Sequence, residues 1–113
     1  MTVTFKQLGQ LRPANTTAAS LYSPSSGVQT VVKSIVVSNS SGANAACRIF
    51  VDDDGTTYDE TTQIVWDVTI SSASSPLTIE INICMNNSSG NLAVRTDTAS
   101  ALTFTAFGME YVV

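Results

Sequence analysis

Residues 77–85 read Leu-Thr-Ile-Glu-Ile-Asn-Ile-Cys-Met, with an apolar side chain at every second position. Leu77, Ile79, Ile81, Ile83 and Met85 fall on one face of an extended chain, and Thr78, Glu80, Asn82 and Cys84 fall on the other. Successive side chains of a strand point to opposite faces, so this period of two describes a strand with one side in a core and the other in water. Just upstream, Gln63–Ser71 (QIVWDVTIS) alternates in the same way. It predicts Ile64, Trp66, Val68 and Ile70 on the core face, opposite Gln63, Val65, Asp67 and Thr69.

Further out, the same grammar repeats. Gln29–Ser38 (QTVVKSIVVS) is dense in β-branched residues and nearly continuous, as a strand covered on both faces would be. Ala45–Asp52 places Cys47, Ile49 and Val51 on an inward face. Ala19–Tyr22, Leu92–Asp97 and Leu102–Val112 complete the set, together with Thr2–Leu11, where Val3 and Phe5 share a side. Between them lie Ser23-Pro24-Ser25-Ser26-Gly27, Asn39-Ser40-Ser41-Gly42, the acidic segment Asp53–Thr62 and Asn86-Asn87-Ser88-Ser89-Gly90. Pro sets φ and Gly permits positive φ, so these are turns. No segment sustains a helical apolar period with caps. The expected fold is all-β: a single antiparallel β-sandwich of about eight strands, jelly-roll or immunoglobulin-like, with residues 1–113 as one domain. Residues 1–13 can be read either as its first strand or as a docking arm.

Composition narrows the function. The chain has 113 residues and is 43% hydrophobic, enough for one core. Charged residues make up 12%, about half the usual roughly 25%, while Ser and Thr together supply 30 of the 113 residues. Histidine is absent, which removes Ser-His-Asp and Cys-His catalysis and histidine-dependent metal sites. The net charge is -4, and the five basic residues, Lys6, Arg12, Lys33, Arg48 and Arg95, are scattered. A nucleic-acid partner needs a basic stripe and is not expected. No apolar run is long enough for a membrane-spanning helix. The opening MTVTFKQLGQLRP has no basic start followed by an apolar stretch, so no signal peptide is read and folding in the cytoplasm is expected. Cys47 points inward and Cys84 outward on their strands, and a reducing compartment also favours two free thiols over a disulfide.

Candidate sites are few. Asp52, Asp54 and Asp59 lie in an acidic loop and are weak candidates for calcium. The loop does not have EF-hand spacing: with Gly55 at the sixth position, Phe50 would be first and Thr61 twelfth. Asp59 or Glu60 would need a second acid across a cleft to act as a glycosidase pair, and a small sandwich with its acids bunched in one loop offers none, so no enzyme activity and no cofactor are expected. Trp66 reads as core by its face, and Tyr58, in a loop, is the better candidate for stacking on a sugar. Lys33 interrupts an apolar strand and reads either as a buried ion-pair partner or as an outward residue. Phe104, Phe107, Met109 and Tyr111 put apolar bulk on both faces of the last strand, which implies cover from the fold or from a neighbouring subunit. Phe5, Arg12, Arg95, Phe107 and Tyr111 are therefore the interface candidates.

The run from Leu21-Tyr22-Ser23-Pro24 through the Val/Lys/Ser-Ile-Val-Val strand, the Asn-Ser-Ser-Gly turn and the strand ending at Asp54-Gly55 resembles small virion proteins of tailed bacteriophages. Asn91-Leu92-Ala93-Val94-Arg95-Thr96-Asp97, Leu102-Thr103-Phe104-Thr105 and Phe107-Gly108-Met109-Glu110 extend the likeness to about Glu110. The resemblance implies a β-sandwich structural protein on the virion and transfers no catalytic residue. The expectation is a capsid decoration (cement) protein, a homotrimer that bridges and stabilises the major capsid protein. A neck, tail or fibre component and a carbohydrate-binding module are the alternatives.

Overall fold

A computed structural model describes residues 2–72 and 76–112. Among the described residues eight strands form: β1 (Thr2–Leu11), β2 (Ala19–Tyr22), β3 (Val28–Asn39), β4 (Ala45–Asp52), β5 (Gln63–Ile70), β6 (Leu77–Met85), β7 (Asn91–Thr96) and β8 (Leu102–Val112). Residues 2–11 are thus a paired strand rather than a free arm. One sheet, sheet A, has the order β1-β8-β3-β6, and the other, sheet B, has the order β2-β7-β4-β5.

The pairings nest: β1 with β8, β2 with β7, β3 with β6 and β4 with β5, all antiparallel. A long four-strand ribbon folded back at the β4–β5 loop and rolled over itself produces this order, which is the jelly roll. In an immunoglobulin sandwich the first two strands share a sheet. Here β1 and β2 lie in different sheets, so that alternative is ruled out.

The core fills the space between the sheets. Val32, Ile35 and Val37 of β3 meet Ile49, Leu92, Val94, Leu102 and Phe104, all at 0% exposure. The alternation of β6 holds: Ile83 and Met85 are buried, Leu77, Ile79 and Ile81 pack against the core, and Thr78, Glu80, Asn82 and Cys84 face solvent. Cys47 is buried in sheet B and Cys84 is exposed in sheet A, and both are free thiols.

The reading of β5 is corrected. Its pairing with β4 slips twice, between Cys47 and Ile49 and again between Ile49 and Phe50. Asp67 takes a positive φ of 53° at the first slip. Each slip adds one unpaired residue to β5 and reverses its alternation, as a β-bulge does. Val65 therefore packs against the core, Ile64 is exposed and Trp66 leaves the core for the outer side of sheet B, while Val68, before the first slip, keeps the face of Ile70 opposite Cys47 and is 39% exposed at the sheet edge.

Candidate interaction surface

The last strand decides the outer surface of sheet A. Phe104 and Ala106 belong to the core, and Glu110 reaches the facing sheet. By the two-residue period, Phe107, Met109 and Tyr111 therefore stand on the outside. Register carries this stripe sideways: Val3 pairs with Tyr111, Phe5 with Met109 and Gln7 with Phe107, while Val31 pairs with Met109 from the other side. Phe5 is 76% exposed, Val3 44% and Phe107 40%, and Met109, Tyr111 and Val31 are half-buried. Phe5, Lys6, Gln7, Lys33, Phe107 and Gly108 line a shallow open depression on this face. The fold thus brings Phe5, Phe107 and Tyr111 together as one apolar band.

The two arginines predicted alongside them lie elsewhere. Arg12 donates from Nε at 2.8 Å to the Ser100 carbonyl at the far end of the sandwich. Arg95 lies on the outer side of sheet B, paired in register with Arg48 and donating to the Thr16 carbonyl. Both side chains are spent on holding loops and strands, so neither adds to the apolar band.

Lys33 is an outward residue. The β3–β8 register slips between Val32 and Ser34, which puts both Lys33 and Ser34 outside while Val32 and Ile35 stay in the core. Its ammonium donates to Asn82 Oδ1 at 2.8 Å across the outer face of sheet A.

Behind the band, on the inner side of the same strands, a polar clip joins the two sheets. The Tyr22 hydroxyl donates to Glu110 Oε2 at 2.6 Å, and it shares a hydrogen bond with Thr30 Oγ1 at 2.6 Å. Lys6 Nζ reaches Glu110 Oε1 at 3.1 Å. The Tyr22 hydrogen bond, helped by the Lys6 ammonium, holds the Glu110 carboxyl below its ordinary range against the opposing effect of burial. Burial, and then the hydrogen bond to Glu110, pushes the Tyr22 phenol up to about 12. A buried polar set of this kind is tolerable only because its members satisfy one another.

The acidic loop does not assemble a cation site. Asp52 Oδ2 accepts the Thr57 amide at 2.8 Å and Oδ1 accepts the Asp54 amide at 3.3 Å. Asp59 Oδ1 accepts the amide of Thr61 at 2.8 Å and its hydroxyl at 2.5 Å. These bonds hold the Asp52 and Asp59 carboxyls below their usual range. Among the described residues no three Cys, Asp or Glu side chains converge on a point where a metal could sit. The Asp52 and Asp59 carboxylates shape the β4–β5 loop instead, and Asp54 contributes its backbone amide.

Sequence reasoning missed what lies under that loop. Phe50 and Ala93 are register partners and both are buried, yet their chain neighbours Ile49, Leu92 and Val94 face the core. Phe50 and Ala93 therefore lie on the outer side of sheet B, where Tyr58 (6.1 Å between centroids) and the edge-on Trp66 (6.2 Å) cover Phe50. The Arg48 guanidinium stacks 3.6 Å above the Trp66 ring and also pairs with Asp67 at 2.6 Å. Arg48 thus covers one face of the Trp66 ring, and Tyr58 is committed to the cluster with Phe50. A signal was present in Ile49-Phe50-Val51, an apolar run that breaks the alternation of β4.

No protein-family model matches this chain, and no curated protein is significantly similar to it.

Proposed function

We propose that this protein is a structural component of a tailed-bacteriophage particle, a decoration protein that docks onto the major capsid protein and bridges neighbouring subunits. The observation that carries this reading is the apolar band Val3, Phe5, Phe107, Met109 and Tyr111, held on the outer face of a well-packed sheet. A contiguous exposed apolar patch rimmed by polar residues marks an interaction surface. The likeness of the turn-and-strand order to small phage virion proteins supplies the particle.

Energetics favour a repeated, symmetric partner. Covering Phe5 is worth roughly 1.5–3 kcal/mol, whereas association costs on the order of 4–15 kcal/mol in lost freedom. A single contact of this size is weak. Copies arrayed on an icosahedral shell, each touching more than one capsid subunit, add their small contacts into a stable coat. The mechanism is mechanical: each copy ties neighbouring subunits together and opposes outward pressure on the shell.

Quantitative proteomics of purified particles against the major capsid protein tests the reading. Copy numbers comparable to the capsid protein are expected, with Phe107→Ser lowering incorporation. A handful of copies would move the protein to the neck, tail or fibres. Absence from the particle would reject a virion role.

A further inference from the structure

We propose that two copies of this chain join edge to edge through β1, about a two-fold axis perpendicular to sheet A, into one continuous sheet. This goes beyond the docking role and does not depend on it. A strand at the edge of a sheet leaves one row of backbone N–H and C=O groups unpaired, a template for a second chain. The two sheets have four such edges: β1, β6, β2 and β5. Three are blunted. β2 has only four residues. β5 carries two bulges and the left-handed Asp67. β6 slips against β3 opposite Lys33 and projects Glu80 outward.

β1 has less protection. It runs for ten residues without proline, and Thr2–Lys6 are exposed on both faces. Its pairing with β8 is regular from Thr2 to Gln7, with the irregularity confined to the step from Gln7 to Gly9. The only charge on it, Lys6, is already matched within its own copy by Glu110.

The edge is complementary to itself. A two-fold axis perpendicular to the sheet makes the strands antiparallel and keeps both outer faces on the same side. Centred on Phe5, the pairing sets Thr4 opposite Lys6 of the second copy, Val3 opposite Gln7 and Phe5 opposite its own mate. No like charges meet, and the most exposed aromatic gains an aromatic cross-strand partner. Centring on Lys6 would place two ammonium groups opposite each other and is disfavoured. The joined sheet also makes the two apolar bands contiguous. A pair thus replaces the threefold arrangement expected from the sequence.

Sedimentation equilibrium on the full chain at micromolar concentration tests this. The expected mass is twice the 11.9 kDa of one chain. Phe5→Asp, at a position where the monomer hardly packs, is expected to return the single-chain mass with an unchanged circular dichroism spectrum. In a Cys84→Ser background, Phe5→Cys is expected to form a disulfide-linked dimer on mild oxidation, while Ser38→Cys is not. A wild-type monomer, a trimer, or a dimer that ignores Phe5→Asp and fails to cross-link at position 5 would each overturn the proposal. If Phe5→Asp fails to fold, the cross-linking comparison decides alone. Particle copy number is a separate readout, so loss of the dimer leaves the docking role to stand or fall independently.

Discussion

The Tyr22 hydroxyl donates to Glu110 Oε2 at 2.6 Å, a side-chain bond from a short edge strand of sheet B to the last strand of sheet A. Both groups are shifted in the direction this bond requires: the phenol is harder to ionise and the carboxyl easier. The clip stands directly behind the exposed apolar band, so it fixes the strands that present Phe5 and Phe107.

Removing the hydroxyl by Tyr22→Phe leaves Thr30 without its partner and Glu110 with Lys6 alone. A loss of about 1–3 kcal/mol is expected from one buried hydrogen-bonding group, read by urea unfolding at neutral pH. The pH profile separates this from simple packing loss. The phenol is raised from 10.0 to about 12 on folding, so its contribution is complete below pH 10 and disappears as pH rises towards 12. Glu110 is lowered, so its contribution is present above the ordinary carboxylate range and disappears as pH falls through it. Wild type is expected to lose stability at both extremes, and Tyr22→Phe to lose the part of the alkaline slope that falls between pH 10 and about 12, keeping the part that the Cys47 thiol, raised to about 11, supplies at lower pH. An unchanged alkaline slope in the variant would show that the clip does not couple to folding.

Gly108 sits at the centre of sheet A, between Lys6 on β1 and Val32 on β3. A Cβ there would overlap the Val31 carbonyl oxygen and touch Leu8 Cδ1 at 3.0 Å. Backbone must move to admit it, and Gly108→Ala is expected to destabilise by more than about 3 kcal/mol, in the upper tail for single substitutions. Gly27 is the control. Its φ is +80° and nothing lies near its missing Cβ, so Gly27→Ala incurs only the left-handed backbone penalty of roughly 1–2 kcal/mol. Chemical denaturation of the two variants gives the comparison directly.

Strand positions were legible because each strand carries its own signal: a period of two in β6, β-branched density in β3, Gly and Asn at the turns. The apolar band was partly legible too, since Phe107, Met109 and Tyr111 cannot share a face with Phe104. Two features were hidden for a physical reason. Bulges insert single residues without altering composition, so Gln63–Ile70 looks like a regular alternation while its pairing slips twice. Which strands neighbour one another depends on pairing across the sandwich, and Arg12 and Arg95 were drawn away from Phe5 by partners distant in sequence, Ser100 and Thr16.

The two thiols are expected to differ sharply in reactivity. Cys84 is exposed on the outer face of β6, while Cys47 is buried in sheet B. Burial, with Asp67 and Asp97 adding their charge, pushes the Cys47 thiol up to about 11, which leaves almost no thiolate at neutral pH. A colorimetric thiol reagent should titrate one cysteine promptly in the native protein and the second only in denaturant. Two fast thiols would mean that sheet B opens easily around Cys47.

Phe50 and Phe5 are both aromatic residues on the outer faces of their sheets, and the fold treats them in opposite ways. Phe50 is 2% exposed beneath Tyr58 and Trp66. Phe50→Ala should cost about 3–5 kcal/mol, the range for a large aromatic removed from a closed site. It should also loosen the β4–β5 loop, because Tyr58 loses the ring it rests on. Phe5→Ala, where most of the ring already meets water, should change the stability of the monomer by no more than about 0.5 kcal/mol. Unfolding midpoints measured on dilute protein, where self-association is negligible, provide the test. A large stability loss for Phe5→Ala under those conditions would make the band part of the monomer's own packing and remove its claim to be an interaction surface.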